Sequence, residues 1–119
     1  IGGRTAYITE NAPVARTNAG KNYVGVSYAI NVADGWTTEG YGILYCNDGT
    51  ITDVSELTID AAQTNTSIQT VSGKTGTNLP DTGKGVVAVG YNIVKNSAGQ
   101  EAIVYTGNIG GSYTALTAE

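Results

Sequence analysis

Ten carboxylates, one thiol and eight phenols carry most of the reactive chemistry of this 119-residue chain, which contains no histidine. Without an imidazole, Ser-His and Cys-His nucleophilic pairs cannot form, and the commonest transition-metal ligand is missing. No serine has a lysine three residues downstream, so a Ser-x-x-Lys nucleophile is not written either. A glycosidase needs two carboxyl groups facing each other across a cleft, one with a raised pKa. The acids here stand mostly in turn-like segments, where capping and solubility account for them. The expectation is no enzyme, no catalytic residue, no cofactor and no metal.

Three short constellations deserve a weighing against ordinary structure. Asn47-Asp48-Gly49-Thr50-Ile51-Thr52-Asp53 resembles half of a calcium loop. The preceding positions Leu44 and Cys46 offer no hard oxygen, so a hairpin turn is the reading, with a looser site on Asp48 and Asp53 left open. Asn65-Thr66-Ser67 fits the N-glycosylation pattern but reads as a surface strand. Lys21, a late Asn and Glu39 or Glu101 are the residue types of an intramolecular isopeptide crosslink, a minor reading without geometry. Cys46 is the single cysteine and lies in an apolar run, so it reads as a buried structural thiol and leaves the redox compartment open.

The aromatic set is eight Tyr and one Trp with no Phe. Such rings suit core edges with a wet hydroxyl, or stacking on sugar faces. Trp36 follows Asp34-Gly35 in a turn and reads equally as an exposed contact or as a plug over one end of the fold. Trp36, Tyr41 and Tyr113 are the candidate ligand-contact residues.

Formal net charge is −4, and the six basic residues are scattered singly. A phosphate backbone or an anionic membrane surface calls for clustered cations, so neither nucleic acid nor membrane is expected as a partner. No apolar run approaches the roughly 20 residues of a membrane-spanning helix. Charged residues are 13%, while 17 Gly and 17 Thr favour strands and turns. The length fits one domain over residues 1–119, and the lack of any Met predicts a piece excised from a longer protein.

Period-2 alternation dominates the elements that must position these groups. Over Tyr23–Val32, Val24, Val26, Tyr28, Ile30 and Val32 share one face, against Gly25, Ser27, Ala29 and Asn31. A return strand follows over Gly40–Asn47. Val86–Lys95 is the clearest strand, with Val87, Val89, Tyr91 and Ile93 opposite Val86, Ala88, Gly90 and Val94. Asn96-Ser97-Ala98-Gly99 turns it into Glu101–Thr106. Further strands are expected over Arg4–Thr9, Val14–Thr17, Thr64–Ser72 and Ile109–Leu116. Thr50–Asp60 reads as a weak edge strand, with a short helix over Val54–Ala62 left open, and 73–85 reads as a loop. About seven to nine short strands predict an all-β, two-sheet antiparallel immunoglobulin-like sandwich.

Glu39-Gly-Tyr-Gly-Ile-Leu-Tyr45, followed by Gly90-Tyr-Asn-Ile-Val-Lys-Asn-Ser-Ala-Gly-Gln-Glu-Ala-Ile-Val-Tyr-Thr106, resembles repeat modules of secreted Gram-positive surface proteins. Those modules are similar to fibronectin type III or immunoglobulin-like sandwiches. The pattern departs where Gly85 stands in place of an aromatic. The resemblance implies a secreted or cell-surface location, a non-catalytic role in spacing, adhesion or assembly, and neighbouring domains or copies of the module as partners. A carbohydrate-binding module using exposed Tyr and Trp36, with polysaccharide as partner, is the alternative. A virion or fibre subunit with an immunoglobulin-like fold is a further one.

Overall fold

The computed structural model describes residues 8–117, and they form eight strands in two antiparallel sheets. The strands are β1 (Ile8–Glu10), β2 (Val14–Asn18), β3 (Lys21–Ile30), β4 (Trp36–Cys46), β5 (Gln69–Ser72), β6 (Gly76–Pro80), β7 (Val87–Asn96) and β8 (Glu101–Tyr105). In sheet 1, β1 and β2 pair with one edge of β3 and β6 with the other; sheet 2 runs β5-β4-β7-β8. The chain crosses between sheets after β3, β5 and β6. That alternation is compatible with an immunoglobulin-like sandwich, with β5 beside β4 where variable-type domains add a strand. Of the strand expected over Arg4–Thr9, residues 4–7 lie outside the described residues.

Local chemistry sets the register. Between the pairs Glu10↔Tyr28 and Val14↔Gly25, three residues of one strand oppose two of the other, a bulge that accommodates Pro13 at the edge. Ala19-Gly20 closes the β2–β3 hairpin with both φ angles positive, 54° and 79°, as a two-residue turn matched to strand twist requires.

Between the sheets lies a first core that includes Val24, Val26, Ile43, Leu79, Val94 and Val104. Tyr28 crosses it. Its hydroxyl lies 2.8 Å from the Gly42 carbonyl oxygen and 2.9 Å from that of Tyr91, and accepts the Gly42 N–H at 3.1 Å. The ring fits because Gly90 has no side chain where it lies. Burial pushes the Tyr28 pKa from 10.0 up to about 12. The folded state therefore keeps a proton that the unfolded chain has released, and the stability this contributes below pH 10 is lost as the pH rises towards 12. The urea midpoint is expected to fall more steeply above pH 10 in the parent than in Tyr28→Phe; parallel profiles would remove the claim.

A second core lies on the other face of sheet 2. Leu44, Cys46, Val89 and Tyr91 point away from sheet 1 and are covered by Ile51, Leu57 and Ile68 of the crossing from β4 to β5. That crossing is not an edge strand. It folds as a 3-10 turn at Val54–Glu56 and a short helix α1 (Ile59–Ala62). Asp53 caps the turn by accepting the Ser55 N–H at 2.9 Å, and Thr58 caps α1 by accepting that of Ala61 at 3.0 Å. Cys46 is buried here, as a structural thiol should be.

Three further expectations need correction. The loop read over 73–85 contains β6, which pairs with β3 from Tyr23↔Pro80 to Ser27↔Gly76. Gly, Asn and Pro make it look like a loop, and the backbone ladder makes it a strand. The last strand over Ile109–Leu116 is a short helix α2 (Tyr113–Thr117), preceded by a bulged continuation of β8 in which Ile109 N–H bonds Ala88 O and Gly111 bridges Val86. Val32 falls outside β3 and is 37% exposed.

Candidate binding face

The outer face of sheet 1 follows from register. Val24, Val26 and Leu79 face the core, so their strand neighbours face solvent. Opposed residues share a face, which groups Val14, Gly25 and Asn78 in one row, Arg16, Tyr23 and Pro80 in the next, and Ser27 with Gly76 in a third. Gly25 sits at the centre with no side chain, and Arg16 lies across it: a Cβ on Gly25 would collide with the Arg16 side chain and press on Asn78. Two adjoining depressions result, of ≈ 420 and ≈ 370 Å³, which share Arg16 and Asn78 in their walls. Ser27, Thr77 and Lys74 line the first, and Asn18 and Tyr23 the second. Val14 on the same face is 50% exposed. Amides, hydroxyls, one half-buried phenol ring and cations in a shallow trough can hydrogen-bond and stack on an extended polar ligand.

A third depression, of ≈ 400 Å³, lies between α1 and sheet 2 and is lined by Leu44, Ile59, Ala62, Gln63, Thr70, Tyr91 and Ile93. It is a gap in the cover of the second core.

The contact residues read from the sequence do not converge. Trp36 opens β4 opposite Asn96 at one end of the sandwich; it is half-buried and packs against the first core. The preceding turn, closed by Trp36 N–H to Ala33 O, directs it inward instead of leaving it at the tip. Trp36→Ala is expected to cost about 2 kcal/mol, less than a fully buried indole; an unchanged urea midpoint would show the ring free of the core. Tyr41 lies midway along β4 and is 37% exposed. Tyr113 begins α2 near the opposite end, its hydroxyl 2.8 Å from Thr17 Oγ1 and its N–H bonded to Asp81 Oδ2.

Asp48 works as a turn residue. Its Oδ1 accepts from Thr50 Oγ1 at 2.6 Å, from Thr50 N–H and from the Cys46 thiol, and these bonds hold its carboxyl below the usual carboxylate range. Among the described residues, no group of three acids or cysteines is placed to hold a metal ion. Asn65 accepts the Ser67 N–H in an exposed turn, where a surface strand was expected. Lys21 is exposed at the β2–β3 hairpin, while Glu101 is paired with Lys95 and Glu39 accepts from Thr37, itself paired with Lys95, at the opposite end of the molecule, so the isopeptide trio is not assembled. No described helix is long and apolar enough to cross a membrane.

Arg16, Tyr23, Gly25, Lys74 and Asn78 escaped the sequence reading as a group, because their convergence depends on pairing between segments some 50 residues apart. The alternation of Gly25 and Ser27 with Val24 and Val26 was the only local signal. No protein-family model, no curated protein and no solved structure matches the chain.

Proposed function

We propose that the chain is a non-catalytic module of a secreted or cell-surface protein, serving adhesion through the outer face of sheet 1. The observation that carries this is the trough beside Gly25, where one strand position has no side chain, Arg16 lies across it, and an amide and a phenol ring gather alongside. Contact groups presented from a paired sheet are held more rigidly than groups on loops. The likeness of the Tyr-rich strand and hairpin to Gram-positive surface modules supports the setting, as does the two-sheet frame, which suits tandem spacing as well.

Beads coated with the chain are expected to adhere to at least one surface in a panel of immobilised plant and bacterial polysaccharides and collagen. Tyr23→Ala/Asn78→Ala should abolish that adhesion, and Lys95→Gln/Glu101→Gln on sheet 2 should leave it intact. Adhesion that survives the sheet 1 double variant would move the function elsewhere on the molecule.

A further inference from the structure

The six basic residues look scattered along the chain, yet Arg16 and Lys21 stand on the outer face of sheet 1 and Lys74 lines the same trough. Strands β2, β3 and β6 carry no carboxylate between them. Among the described residues, the formal charges on these three strands and on Lys74 beside them are all positive, in a molecule of net charge −4. Such a face can attract a polyanion locally although the molecule as a whole is negative.

Resting on the proposed adhesive role, we propose that this face binds an acidic polysaccharide, a pyranose chain bearing uronate carboxylates, laid along the trough across β2, β3 and β6. The two depressions meet at Arg16 and Asn78, so a chain can occupy both. Arg16 lies over Gly25 and offers the planar fork that matches a carboxylate. Tyr23 presents a partly exposed ring beside it for the C–H face of a sugar, and Asn18, Ser27 and Asn78 supply partners for hydroxyls. Two cations, Arg16 and Lys74, line the trough and Lys21 stands farther along the same face, fewer than the clustered cations a phosphate backbone calls for.

Affinity electrophoresis of the intact chain in gels containing polygalacturonate provides the test, with dextran as the neutral polymer and single-stranded oligothymidylate as competitor. Polygalacturonate is expected to retard the parent at low salt and to lose its hold in 0.5 M salt, a range over which charge contacts are screened to about 4–5 Å. Arg16→Gln/Lys74→Gln should weaken binding about tenfold. Gly25→Ala, which displaces Arg16 and leaves the core untouched, should weaken it about fivefold with an unchanged melting temperature. Equal retardation in dextran, abolished by Tyr23→Ala, would overturn the acidic class while leaving the adhesive face. Unretarded migration in polygalacturonate, or a double variant held as tightly as the parent, would overturn the proposal. Preferential binding of the oligonucleotide would overturn it in favour of nucleic acid.

Discussion

Val89→Asp is expected to leave the chain without a cooperative unfolding transition. Val89 is fully buried on β7, opposite Leu44 of β4, in the second core beneath Leu57 and Ile51. A carboxylate there has no cation within its cluster, and neutralising it by protonation still leaves a polar group among aliphatic side chains. The loss exceeds about 5 kcal/mol, comparable with the whole stability of a domain this size. Val89→Ala removes volume without charge, should cost about 2 kcal/mol and should still unfold cooperatively. Near-ultraviolet circular dichroism and urea titration read both variants. An aspartate variant that melts like the parent would mean that β7 does not face a covered core on this side.

The second core also explains how far the sequence could be read. In β3 the alternation is clean because one face meets the core and the other meets solvent, so Val24, Val26 and Tyr28 declare themselves. In β4 and β7 both faces are apolar, with Ile43 and Ala88 on one side and Leu44 and Val89 on the other. That pattern already implies cover on both sides. What supplied the cover was half legible: a short helix within Val54–Ala62 was left open and is present, but the crossing holds its place by three separated anchors, Ile51, Leu57 and Ile68, and by caps at Asp53 and Thr58 instead of by a helical period. β6 was hidden for a related reason. Leu79 is its single buried side chain, and the strand exists because β3 offers an unpaired edge.

The candidate face was less legible than the fold. Positions of Arg16, Lys21 and Lys74 along the chain say nothing about their neighbourhood until β2 and β6 are set against β3 in register. A register one residue different would send Arg16 into the core side and break the group. Scatter of cations in sequence therefore does not imply scatter in space. Trp36, singled out as the only indole, was judged by its place after Asp34-Gly35. The hydrogen bond from its own N–H to Ala33 tightens that turn and delivers the ring to the end of the core.

Asn92→Leu is expected to raise stability by about 3 kcal/mol, an increase of roughly 10 °C in melting temperature for a chain of this length. Asn92 is fully buried on β7 and faces the first core with Gly90 and Val94, opposite Tyr41 of β4 and Val104 of β8. Neither its Nδ2 nor its Oδ1 has a hydrogen-bond partner. Each buried group stripped of water without a partner costs about 1–3 kcal/mol, and two such groups share one side chain here. Leucine has the same number of side-chain heavy atoms, keeps the branch at Cγ and contributes apolar contact beside Val94 and Val104. Asn92→Ala removes the same orphaned groups but opens a cavity, so its gain should be smaller than that of leucine or absent. The order leucine above alanine follows from desolvation plus packing. A leucine variant less stable than the parent would show that the amide is satisfied in solution, by an enclosed water bonded to both atoms.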